Sequence, residues 1–178
     1  PSPTIFMSAS RHTPASTLPP EPTGSFTWVQ APWGWVLRCR PLASLAPHFF
    51  TARDLSPGKG HLADSSEWDR VGSLAGVSAD HVWRLHQVHG CRTLTVDTPT
   101  MPAAAALESA DAAITTRVDV ALAVKTADCV PILLADRHRR AVGAVHAGWR
   151  GTASRLVVEA VETMMRSAGV CPGELVAA

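Results

Sequence analysis

Three short stretches of this 178-residue chain set a metal-ligating or ionisable side chain beside a turn-forming residue at the end of an apolar run. They are Gln87-Val-His89-Gly90, Thr126-Ala-Asp128-Cys129-Val-Pro131 and Val145-His146-Ala-Gly148-Trp-Arg150-Gly151. Two imidazoles and one thiol form a three-donor set suited to zinc, with a fourth coordination position open to water or substrate. Such an ion lowers the pKa of a bound water and polarises a substrate oxygen. The spacings are long, so only tertiary structure can bring the donors together. Taken singly each residue is ordinary, because a buried cysteine is usually an inert small hydrophobe and a strand-end histidine usually a hydrogen-bonded one. His86 is the rival ligand. Three residues before His89 in a strand, it falls on the opposite face, so one of the two points into the site.

The neighbours of these residues add chemistry. Asp128 reads as a charge inside an apolar strand pair, where burial is costly unless the group is paired, and it is a candidate orienting group or proton carrier. Arg150 precedes a helical pattern, and a guanidinium beside free helix N–H groups suits an anion such as phosphate. Arg53, after Phe49-Phe50-Thr51-Ala52, is a second candidate anion contact. A different reading of the same residues makes Cys129 a nucleophile with a histidine as its base, without metal. Copper also accepts these donors, although three ligands do not make a multi-copper relay.

Positioning falls to an alternation of short strands and fewer helices. Trp35–Cys39, His48–Ala52, His81–Gln87, Arg92–Asp97, Val120–Val124, Val130–Ala135 and Ala141–His146 read as strands, and the chain closes on another strand-like run, Glu174–Ala178. Ser66–Ala75 and Thr152–Arg166 read as helices, the second with Leu156, Val157, Ala160, Val161, Met164 and Met165 on one stripe and Thr152 as its cap. This pattern predicts an α+β fold rather than a regular doubly wound sheet. Residues 1–27, rich in Pro, Ser and Thr, read as a flexible leader, and residues 28–178 as one domain. The abrupt end predicts a fragment of a longer protein that lacks a C-terminal part, and the missing initiator Met fits a fragment.

Composition narrows the function classes. Nearly half the residues are apolar, and the formal charge of +1 gives no argument for nucleic acid. The longest apolar region, Val118–Ala135, is broken by Asp119, Lys125 and Asp128, so no membrane span is expected. No signal peptide is recognisable, and Cys39, Cys91, Cys129 and Cys171 are widely spaced, which predicts reduced thiols and a cytoplasmic location. Nothing in the sequence points to a protein partner.

Gln87-Val-His-Gly, Ala127-Asp-Cys-Val-Pro-Ile-Leu-Leu-Ala-Asp and His146-Ala-Gly-Trp-Arg-Gly resemble a family first described as multicopper polyphenol oxidases or laccases. It was later recast as zinc-containing purine nucleoside phosphorylases, and some bacterial members are described as peptidoglycan editing factors. The resemblance runs in order from about His48 to Ala178. It implies mixed β-sheets packed together with helices outside, and zinc held by His89, Cys129 and His146. It also implies phosphorolysis of adenosine, inosine, guanosine or methylthioadenosine, with adenosine deamination as a companion activity; purine nucleoside and phosphate are then the partners. The alternatives are a metal-free cysteine hydrolase acting on a cell-wall precursor and a copper-dependent polyphenol oxidase. Thr51-Ala-Arg53-Asp-Leu-Ser-Pro-Gly stands where the family has a Gly-Gly-Val-Ser loop and an Asn-Leu pair, so the role of Arg53 does not carry over directly.

Overall fold

Alternation along the strands decides which layer each side chain enters. The computed structural model describes residues 4–9, 21–22, 24–52, 65–103 and 107–178. The chain runs β1 (Thr4–Ala9), β2 (Phe26–Ala31), β3 (Gly34–Cys39), α1 (Arg40–Ala43), β4 (His48–Thr51) and α2 (Ser65–Ala75). It continues through β5 (Val82–Trp83), β6 (Thr93–Val96), β7 (Ala112–Thr115), β8 (Ala121–Thr126), β9 (Val130–Asp136) and β10 (Val142–Ala147). Two helices, α3 (Trp149–Ala153) and α4 (Leu156–Ala168), precede β11 (Leu175–Ala177). One sheet has the order β2-β3-β4-β1-β8-β5 and the other β11-β9-β10-β7-β6.

The two sheets face each other, and each carries a helix on its outer face. Leu122 and Val124 of β8 meet Leu133, Ala135, Val142 and Ala144 of the second sheet in the central layer. Their strand neighbours point the other way: Ala121 and Ala123 join Phe49 and Val36 under Trp68, Val71 and Ala75 of α2. Likewise Leu134, Val145 and Ile114 pack under Leu156, Ala160 and Met164 of α4. The side-chain period of two in a strand feeds both layers at once. Each fully buried aliphatic or aromatic side chain contributes about 1.5–3 kcal/mol relative to exposure. The fold is α+β, with mixed sheets and helices outside.

Four expectations need correction. Thr4–Ala9, inside the expected leader, is an interior strand that pairs in parallel with both β4 and β8. Ile5 is fully buried, and the Thr4 hydroxyl donates to the Ala75 carbonyl at 3.2 Å. A six-residue apolar strand within a Pro/Ser/Thr-rich window was masked by the window's average composition. Second, only Val82–Trp83 of the expected strand His81–Gln87 is a strand; His81 ends a 3-10 turn and His86 forms a single bridge to Ser109. Third, the helix expected from Thr152 is two helices, because Arg155 takes a left-handed φ of 62° between α3 and α4. Gly148 occupies the N-cap position of α3 and Arg155 that of α4, so Thr152 caps neither. Fourth, β7 was not foreseen, although it is fully buried between β10 and β6.

Candidate metal centre

Strands β8, β9 and β10 end or begin at one pole of the two sheets. Cys129 lies in the turn from β8 to β9, and His146 is the penultimate residue of β10. His146 shares strand parity with Val142 and Ala144, so its ring emerges at the end of the layer between the sheets. The loop after β5 brings in His89. One ligand atom from each of His89, Cys129 and His146 lies within 4.8 Å of the other two. The two imidazoles meet edge to face, with centroids 4.8 Å apart and planes at 77°.

Asp111 builds this arrangement. Immediately before β7, its side chain is fully buried and accepts the backbone N–H groups of Val88 at 3.1 Å, His89 at 2.9 Å and Gly90 at 2.7 Å. The same carboxylate accepts the Nδ1–H of His146 at 2.8 Å. With Nδ1 donating, the Nε2 lone pair of His146 is left for a ligand bond, the usual way an outer carboxylate orients a metal-binding histidine. Burial alone pushes the Asp111 carboxyl up; the hydrogen bonds from His146 and from the Gly90, Val88 and His89 amides hold it below the ordinary aspartate value. The clamp also holds His89 in a left-handed backbone conformation, φ 61°, which is costly for a residue with a Cβ.

Glycine is required where the next turn closes over the donors. A Cβ on Gly148 would stand 2.9 Å from His89 Cδ2 and 3.3 Å from Cys129 Sγ. A Cβ on Gly151 would stand 2.8 Å from the Gly90 carbonyl oxygen, so α3 also rests directly on the His89 loop. Beside the donors lies a cavity of about 430 Å³, lined in addition by His86, Gln87, Lys125 and Asp128. The Gln87 amide both donates to the Lys125 carbonyl and accepts the Lys125 N–H, each at 2.8 Å, which ties the loop to the end of β8. Lys125 is half-buried; burial first, and then the Arg84 charge, lowers its pKa.

The structure departs from several site expectations. Asp128 is exposed in the turn rather than buried in a strand pair, and the orienting carboxylate is Asp111. His86 and His89 line the same cavity, because the left-handed φ of 61° at His89 breaks the strand alternation on which the opposite-face argument rests. Arg150 is the second residue of the five-residue α3, exposed, with its guanidinium carbon 5.3 Å from the centroid of the largely exposed Trp149 ring. It does not line the cavity. Arg53 lies outside the described residues. Asp111, Lys125 and Gln87 were missed; a lone aspartate opening the apolar run Ala112-Ala-Ile-Thr was the signal for the first.

Two imidazoles and a thiol are borderline and soft donors, the ligand set that zinc takes, and their separation needs only a small contraction around an ion bonded at about 2.0–2.3 Å. The group could therefore hold a metal ion. All four cysteines are free, and no helix among the described residues is long and apolar enough to cross a membrane.

Comparison with known proteins adds to this picture. The family model for the multi-copper polyphenol oxidoreductase laccase matches residues 64–178. A purine nucleoside phosphorylase of Deinococcus radiodurans is 35% identical over 150 residues, covering 77% of this chain and 56% of that protein. A protein named adenosine deaminase RL5, from an unknown prokaryotic organism, is 40% identical over 96 residues, covering 51% of this chain and 37% of that one. The chain spans about half the length of the curated relatives it matches. The crystal structure of YlmD from Geobacillus stearothermophilus superposes with a TM-score of 0.71 at 24% identity, over 84% of this chain and 63% of that one, a likeness of fold.

Proposed function

Since the chain belongs to the multi-copper polyphenol oxidoreductase laccase family, which includes nucleoside-processing relatives, we propose that it is part of a zinc-dependent purine nucleoside phosphorylase with adenosine deaminase side activity. The observation that carries this reading is the convergence of His89, Cys129 and His146 on one point beside a cavity of substrate size. Those three residues would hold the zinc, which supplies a Lewis acid and an activated water when bound.

The chain's own groups divide the remaining work. Asp111 fixes the His146 tautomer and the His89 loop, so the donors are held before any ion arrives. In phosphorolysis a phosphate oxygen bonds to the ribose C1′ as the bond from C1′ to the purine nitrogen breaks, and that nitrogen takes up a proton. Asp128, on the cavity wall and not engaged in orienting the donors, is the carboxyl assigned to carry that proton. Lys125 on the wall and Arg150 beyond the rim supply positive charge for the phosphate. Adenosine, inosine, guanosine and methylthioadenosine are the proposed substrates, and the cytoplasm, where thiols stay reduced, is the proposed setting.

The test is chromatography of adenosine incubated with the zinc-loaded protein, with and without phosphate, beside Cys129→Ser. Adenine that appears only with phosphate and is lost in the variant supports the phosphorylase. Inosine formed independently of phosphate supports the deaminase alone. One second reading has an observation in its favour: the thiol within 4.8 Å of two imidazoles also suits a cysteine nucleophile with a histidine base. Iodoacetamide trapping of Cys129 that bound zinc fails to block, in a protein that turns over without metal, would favour that reading.

A further inference from the structure

β9 is seven residues long, so it runs from the turn that carries Cys129 to the opposite pole of the sheets, roughly 20 Å away at ~3.3 Å per residue. At that pole most charged groups are paired. Arg140 bonds Asp136 at 2.8 Å and lies 3.4 Å from Glu174, which His138 also meets at 3.0 Å. Arg139, in the turn between β9 and β10, forms no ion pair among the described residues. Its backbone is left-handed, φ 59°, and its Nη2 donates to the Ser44 carbonyl at 2.6 Å, which holds the guanidinium against the loop between α1 and β4. Arg38, from β3 of the other sheet, also forms no ion pair among the described residues. Its Nε is buried and has no hydrogen-bond partner among the described residues.

These two arginines line a cavity of about 340 Å³, and none of the eight described residues that line it carries a carboxylate. His48 closes one wall without adding charge. Its Nε2 accepts the Cys39 N–H and its Nδ1 donates to the Ala46 carbonyl, both at 2.9 Å, so the ring is neutral with both nitrogens engaged. Burial holds its pKa below the ordinary value against the hydrogen bond to Ala46, and the nearby Arg38 charge adds to the lowering.

We propose that this cavity is a second binding site, separate from the metal centre, for a small oxyanion bearing phosphate or carboxylate groups held between the guanidinia of Arg38 and Arg139. A guanidinium presents its donors as a planar fork that matches either group. Arg139 is anchored through one nitrogen and keeps donors on the other two. Arg38 brings a second guanidinium to the same lining from the other sheet, with no ion pair among the described residues. The volume admits the anionic group together with a small organic body.

Calorimetric titration with pyrophosphate and, in parallel, with citrate tests this site. The titrated chain carries Arg150→Gln, which removes one anion contact assigned to the metal centre. The expected result is saturable binding by at least one anion, weakened about tenfold or more by Arg38→Gln and by Arg139→Gln, with circular dichroism and zinc content unchanged. The tighter of the two anions identifies the ligand as phosphate-bearing or carboxylate-bearing. Arg137→Gln, in the same turn but off the cavity lining, should change affinity by less than about twofold. A binding step at the metal centre survives Arg38→Gln, so failure of one site is distinguishable from failure of the other. If Arg38→Gln does not fold, the exposed Arg139→Gln decides alone. Equal affinity with and without Arg139→Gln in that Arg150→Gln chain, an equal loss on adding Arg137→Gln, or no saturable binding of either anion overturns the proposal.

Discussion

Two aspartates, Asp136 at the end of one strand of the second sheet and Asp111 just before another, are both fully buried, yet their charges are used in opposite ways. Asp136, at the end of β9, accepts the Arg140 N–H at 3.1 Å, Nε at 2.8 Å and Nη2 at 3.0 Å. Its negative charge meets a positive one, and the set closes on itself. Asp111, at the opposite pole, meets three neutral amides and one imidazole. Its hydrogen bonds end on residues that still have something to offer: His146 retains Nε2, and the His89 loop carries a second ring toward the same point. A buried carboxylate matched by a guanidinium stabilises the fold, whereas one matched by amides and an imidazole positions ligands.

The sharpest break of this comparison is Asp111→Asn. It removes the charge that three N–H groups and His146 share, and should lower unfolding free energy by about 3–5 kcal/mol. Zinc affinity, read by competition with a chromophoric chelator, should fall about 10–100-fold. Next comes Gly148→Ala, whose Cβ must displace His89 or Cys129. It should cost about 1–3 kcal/mol and weaken zinc binding, while Gly173→Ala, with nothing within 4 Å of its added Cβ, changes neither.

Asp136→Asn makes the opposite statement. Arg140 is partly exposed, which discounts the pair, so a loss of about 1–2 kcal/mol with unchanged zinc affinity is expected. The Arg140 hydrogen bonds hold the Asp136 carboxyl below its ordinary value. Its stabilisation is therefore complete above the unfolded aspartate pKa of about 3.9 and is lost as pH falls through the lowered value; the variant should flatten that acid limb in denaturant titrations. The smallest effect concerns His48, whose folded form resists a proton that the unfolded chain accepts. Stability should decline by up to about 1 kcal/mol between pH 7 and 5.5, and His48→Gln should remove that slope.

What was legible in the sequence follows the same division. His89, Cys129 and His146 stood out because each sits at the end of an apolar run beside a turn residue, and the fold brings those three turns to one pole. Asp111 did not, because β7 is only Ala-Ala-Ile-Thr, and alanine carries little strand signal. Asp128 drew attention through adjacency to Cys129, but adjacency in a turn sends neighbours in different directions, and it is exposed. β1 was hidden by its surroundings, since its partners β4 and β8 lie about 40 and 120 residues away and no local pattern announces a parallel pairing. Arg155 broke a stripe that reads as one continuous helix, and a single left-handed residue leaves no periodic trace.

The most direct measurement is the metal content of the protein after equilibration with zinc and removal of free ion, for wild type beside Cys129→Ser and Arg139→Gln. One zinc per chain is expected in wild type and in Arg139→Gln, and a large loss in Cys129→Ser with the fold intact by circular dichroism. Zinc retained at full stoichiometry in Cys129→Ser, or a folded wild type that takes up none, would contradict it.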